Sequence, residues 1–195
     1  MNKALSAIIV IAIFWLTGCA STRLVDSQVN SFAPHTVPVG SHYRFERLPS
    51  QQADAAGQQR LEELAEQALA QVGLVRDDHN ATYSVQISAS QRVQNPAQER
   101  PLLGWHLGWR IGHGSVALGH APLFPGLDNQ TSYWREVALI MRERHTQVVV
   151  YETRASHEGP WSDSEAVWPA MLQAALQGFP TPPAGPRNVN IEIPR

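Results

Sequence analysis

"SYWREVALIMRERHTQVVVYETRAS", residues 132–156, holds two apolar runs separated by a charged knot. The runs, 133–142 and 147–155, each have the length of one strand, and Glu143 to His145 between them leave room only for a tight reversal. The stretch therefore predicts a β-hairpin, and a hairpin requires further strands and a covering layer to bury one of its faces.

Both are predicted on its N-terminal side. Across residues 82–89, Tyr83, Val85, Ile87 and Ala89 alternate with Ser84, Gln86 and Ser88, the pattern of a strand with one dry and one wet face. Residues 42–48, "HYRFERL", alternate in the same way and stop at Pro49. Between these two segments, Leu61, Leu64, Ala65, Ala68, Leu69 and Val72 fall on one face of a helix over 58–72, with Glu62 on its solvent side and Gly73 as its stop.

On the C-terminal side, Ser162 and Glu165 have capping-box spacing. Val167, Trp168, Met171, Leu172, Ala175 and Leu176 then form a second helical stripe that ends at Gly178. Pro169 conflicts with an uninterrupted helix and pulls its start toward the proline. "NVNIEIP" near the C-terminus alternates as a last strand. The order of elements predicts an α+β fold, a mainly antiparallel sheet with two helices packed on one face.

The N-terminus has a different character. A lone Lys3 precedes an uncharged run from Ala4 to Leu16, too short for the roughly 20 residues of a permanent span, followed by Leu16-Thr17-Gly18-Cys19. Residues 1–18 are thus expected to be a signal peptide, 19–40 an acylated terminus and flexible tether punctuated by Pro34 and Pro38, and 41–195 a single domain with an insertion at about 94–130. Without Lys3 the 15 basic residues fall to 14, all arginine, against 17 acidic ones, a formal charge of −3. That balance offers no basic surface for nucleic acid.

Leu16 to Cys19 resembles the lipobox of bacterial lipoproteins. The resemblance implies cleavage between Gly18 and Cys19, lipid attachment at Cys19 and, with Ala20 following, sorting to the outer membrane facing the periplasm. Cys19 is the only cysteine and has no partner for an internal disulfide, which suits a lipid role. Several acyl chains, at about 0.8 kcal/mol per buried CH₂, make a stable anchor.

"YRFERLPS" with the first helix, "ATYSVQISAS", the aromatic and glycine-rich insertion, "VVVYETRAS", "WPAMLQAALQGFP" and "GPRNVNIEIP" follow one another in an order that resembles the domain of unknown function 4136 (DUF4136) family of bacterial lipoproteins. The resemblance runs from about Tyr43 onward. It implies an envelope lipoprotein of α+β fold and brings no catalytic residues.

The insertion contains "GWHLGWRIGHGSVALGH", residues 104–120. His106, His113 and His120 recur every seven residues, but five glycines oppose a helix, and in an extended chain odd spacing sends His106 and His113 to opposite faces. No metal site is therefore expected. Extended, the segment puts Trp105, Leu107, Trp109 and Ile111 on one face, an apolar ribbon that packs on its own domain, meets the membrane boundary or anchors a partner.

No nucleophile elbow, zinc-protease helix or nucleotide-binding glycine loop occurs. His157, Glu158, Ser162 and Asp163 in "SHEGPWSD" are too close in sequence to face one another as a triad does, and Ser162 is expected to cap a helix. The sequence points to a lipid-anchored, non-catalytic interaction module with an envelope protein as partner and no cofactor. The alternative is a module binding a small apolar ligand or lipid.

Overall fold

The computed structural model describes residues 22–94 and 131–194. Ten elements follow one another: β1 (Thr22–Phe32), β2 (His42–Phe45), α1 (Pro49–Ala53), α2 (Ala55–Gln71), β3 (Val75–Arg76), β4 (Tyr83–Gln94), β5 (Ser132–Glu143), β6 (Val149–Gly159), α3 (Ser164–Leu176) and β7 (Arg187–Pro194). The strands form one seven-stranded sheet in the order β3-β2-β4-β5-β6-β1-β7. The fold is α+β.

The hairpin predicted over 132–156 is β5–β6, antiparallel from Tyr133 opposite Gly159 to Met141 opposite Tyr151, with a register shift between Met141 and Arg142. Its turn is closed by Gln147 N–H donating to the Glu143 carbonyl at 2.8 Å, with Gln147 at φ +60°. Val137, Leu139 and Met141 share the inner, buried face of the sheet with Tyr151, Thr153 and Ala155.

The sheet is mixed, which corrects the expectation of a mainly antiparallel one. β2 runs parallel to both β3 and β4, while the other four pairings are antiparallel. The cause is the helical crossover between β2 and β4: α2 returns the chain to the end from which β2 began, so the next strand can only run alongside it.

A second correction concerns the tether expected over 19–40. Residues 22–32 are β1, an interior strand paired antiparallel with β6 on one side and β7 on the other. Val25, Ser27, Val29 and Ser31 are buried while Asp26, Gln28 and Asn30 face out. Alternating serine with valine on the buried side masks the period-two signal, because half of the inward positions read as polar.

α2 starts at Asp54, whose carboxylate accepts from Gly57 N–H at 3.2 Å, and buries Ala65, Ala68 and Leu69. Glu62 is buried rather than solvent-facing. Its two oxygens accept from Arg47 Nε and Nη2, each at 2.7 Å, so the charge goes inside with its partner. The helix ends where expected. Gly73 adopts φ +83°, Leu74 N–H donates back to the Leu69 carbonyl at 3.0 Å, and a Cβ at Gly73 would stand 2.5 Å from Val39 Cγ1.

In α3 the N-cap is Asp163, not Ser162, and no side chain caps the helix, so the capping box expected at Ser162 and Glu165 is not formed. Pro169 lies inside α3, where burial of Val167, Met171, Leu172, Ala174 and Leu176 outweighs the one backbone bond it removes. At the other end the free Ala175 carbonyl accepts from Thr153 Oγ1 at 2.8 Å and Tyr151 Oη at 3.4 Å, so sheet side chains complete the helix terminus.

Candidate functional site: a cleft beside a half-paired strand

β4 is longer than the strand that flanks it. β2 covers only Tyr83 to Val85, whereas β5 pairs with β4 along its whole length, to Ser132 opposite Gln94. Just past the end of β2, Glu46 N–H donates to the Val85 carbonyl at 2.9 Å. Gln51 and Gln58 each send Nε2 to the Ile87 carbonyl, at 2.7 and 3.3 Å. These side chains imitate a strand for one residue pair and then stop. Among the described residues, positions 88–94 of β4 have a ladder neighbour on one side only.

Beside this open edge lies a cleft of about 970 Å³. Ser88 and Ala89 line it from the sheet, Leu61 and Leu64 from α2, and Ser164 and Trp168 from α3. Its apolar walls come from half-buried residues of the two helical stripes that also pack against the core, so the stripes serve two surfaces at once.

A polar row adjoins the α3 end of the cleft. Gln91 of β4 stands opposite Arg135 of β5, which stands opposite His157 of β6. Arg135 is 0% exposed. Its Nε donates to Ser164 Oγ at 3.2 Å, its Nη2 to the Trp161 carbonyl at 2.6 Å, and its guanidinium lies 5.4 Å from the Tyr133 ring centre. Burial pushes the Arg135 guanidinium below its ordinary pKa, Asp163 opposes that shift, and the charge on Arg23 adds to it.

Arg23 reaches the same loop from β1. It clamps Asp163 through two hydrogen bonds of 2.8 and 2.6 Å and stacks 5.5 Å from the Trp161 ring centre. Those bonds hold the Asp163 carboxyl below its usual range. His157 is 5% exposed and donates from Nδ1 to the Asp26 carbonyl at 2.7 Å, since a carbonyl can only accept.

The structure separates the residues of "SHEGPWSD" rather than assembling them. His157 faces inward, Glu158 accepts from Ser132 Oγ at 2.8 Å, Ser162 is exposed and Asp163 belongs to Arg23. Arg135 and Arg23 are the residues that sequence reasoning passed over. A signal existed for Arg135, which has the same parity as Val137, Leu139 and Met141 and so was destined for the inner face. Gly18, Cys19, Trp105, Leu107, Trp109 and Ile111 lie outside the described residues, as do His106, His113 and His120. Among the described residues no group of three or more metal-binding side chains occurs, and no helix is long and apolar enough to cross a membrane.

By architecture, then, the chain is an α+β domain in which a mixed sheet carries a helix-flanked cleft. It belongs to the family described as Domain of unknown function (DUF4136), whose model matches residues 26–181. That match starts within β1, in agreement with a domain that includes this strand. No protein of curated function matches the sequence.

Solved structures are similar at low identity. A PelC dodecamer from Paraburkholderia phytofirmans aligns at 12% identity and a TM-score of 0.44, over 80% of this chain and 99% of that one. A substituted form of the same protein gives 11% and 0.45, over 77% and 94%. A PDZ domain protein from Parabacteroides distasonis aligns at 11% and 0.49, over 96% of this chain but 42% of its own, so the chain spans less than half of that protein.

Proposed function

We propose that the protein is a lipid-anchored component of the bacterial envelope, held through Cys19 at the periplasmic face of the outer membrane. Its domain acts there as a non-catalytic module that docks an extended segment of another envelope protein. The single observation that carries the docking is the half-paired strand: among the described residues, positions 88–94 of β4 have no ladder neighbour on the side of β2, next to the cleft. Backbone pairing of that kind supplies affinity, and side-chain pockets at alternate positions supply selectivity. Leu61, Leu64 and Trp168 are suited to the second task.

The anchor rests on the sequence from Lys3 to Cys19, and the outer-membrane address on Ala20. The non-catalytic reading is supported by the separation of His157, Glu158, Ser162 and Asp163. In this reading both long helices lie on one sheet face. Two contacts support it: Gln58 of α2 reaches Ile87, Thr153 of the sheet reaches Ala175 of α3, and Ile87 and Thr153 both stand opposite Leu139.

The test is photocrosslinking in intact cells from a photoreactive residue at Leu61, with Arg154 on the outer sheet face as control. One discrete protein adduct at Leu61 alone is expected, lost from the membrane fraction in Cys19→Ala. A lipid adduct transfers the cleft to the apolar-ligand reading, and equal adducts at both positions contradict docking there.

A further inference from the structure

The polar row at the α3 end of the inner face is under-satisfied. Among the described residues, the buried side-chain atoms without a hydrogen-bond partner include Arg23 Nε, Ser27 Oγ, Arg135 Nη1 and His157 Nε2. Arg135 and His157 are ladder partners, and Ser27 lies on β1 one position beyond the Gln28–Ser156 pair that aligns β1 with β6. Buried polar groups without partners are individually costly and ordinarily rare. Three of them, on Ser27, Arg135 and His157, fall in one row, which marks a place with a shared cause.

Charge gives the cause its sign. Arg23 and Arg135 converge on the loop of Trp161 to Ser164, and the carboxylate they meet there, Asp163, is taken in bidentate fashion by Arg23. Arg135 is left donating to a carbonyl and a hydroxyl, with Nη1 unused. The same loop opens α3, a helix of 13 residues whose first N–H groups receive no side-chain cap because Asp163 points to Arg23. A helix N-terminus and a buried guanidinium both favour a negative partner.

We propose that this corner is an oxyanion site, which takes a carboxylate or phosphate group between the Arg135 guanidinium and the N-terminal N–H groups of α3. Ser164 connects it to the cleft: it lines the cleft wall, accepts from Arg135 Nε and donates to Gln91 Oε1 at 2.5 Å. Gln91 is exposed, so its withdrawal frees the Ser164 hydroxyl toward the cleft. The site stands on the unpaired Arg135 Nη1 and the uncapped helix, independently of strand docking along β4.

The experiment is thermal unfolding of the full chain in detergent, titrated with inorganic phosphate and separately with acetate, with chloride holding the ionic strength constant. The midpoint is expected to rise with the logarithm of the ion concentration once it exceeds the Kd, by about 3–6 °C at ten times the Kd. Response to phosphate alone assigns a phosphate group, and response to both ions assigns a general oxyanion site. Arg135→Gln is expected to remove the response. Should that variant fail to fold, Ser164→Asp decides, since it places a carboxylate from the chain itself beside Arg135 and is expected to raise the midpoint while abolishing the response. A wild-type midpoint flat to both ions, or a response undiminished in Ser164→Asp, overturns the proposal.

Discussion

Two rows cross the same inner face of the sheet, four residues or about 13 Å apart along the strands, and they are built on opposite principles. The first runs Ile87, Leu139, Thr153, Ser31. Its polar atoms are paired: Thr153 bonds Ser31 at 2.9 Å and the Ala175 carbonyl at 2.8 Å. The second runs Gln91, Arg135, His157, and then Ser27 on β1. It holds the largest fully buried side chain of the described residues, a cation, and leaves polar atoms unpaired. A domain of this size keeps only a small net stability, so a row that spends some of it needs a use other than folding. The first row holds the domain together, and the second is kept for binding.

The contrast is breakable by substitution. The largest effect is expected from Leu139→Ala in the first row, a 2% exposed side chain at the centre of the core, at about 2–5 kcal/mol in urea unfolding. Thr153→Val keeps the shape but leaves Ser31 with only its bond from Arg187 Nη1 and weakens the hold on the α3 terminus. The expected loss is about 1–2 kcal/mol by the same measurement. Losses near zero at both positions would remove the distinction between the rows.

A smaller effect separates the loop from the core by pH. Asp163 is held below its ordinary pKa chiefly by hydrogen bonds from Arg23. The stability it contributes is therefore present above the unfolded carboxylate value, about pH 4, and is lost as pH falls through the lowered folded value. In Asp163→Asn the unfolding midpoint measured from pH 7 to pH 2 should fall less steeply on the acid side, with the neutral part of the profile shifted only slightly. An unchanged acid limb would place the acid-sensitive group elsewhere.

Much of this frame was legible in the sequence. The hairpin at 132–156, the helix stopped by Gly73 and the last strand each carry a local period with punctuation, and each formed close to where that period runs. β1 was hidden because Ser27 and Ser31 occupy inward positions that a hydrophobic pattern requires to be apolar. The parallel pairing of β2 was hidden because direction is set by the crossover, not by either strand's own residues. The candidate site was least legible. Arg23, Gln91, Arg135, His157 and Ser164 come from five elements spread over 141 positions of separation, and only sheet register brings them together. A buried arginine in a strand is visible as an oddity of parity, but its missing partner is not.

The division between the rows is tested most directly by the urea stability of Arg135→Met, measured in chloride without phosphate. Replacing a buried charge that lacks a carboxylate of its own by an apolar side chain of similar length is often neutral or stabilising. The account predicts a variant within about 1 kcal/mol of the wild type, or more stable. A loss of the size expected for Leu139→Ala would make Arg135 a structural strut between β5 and α3, and the two rows would then serve the same purpose.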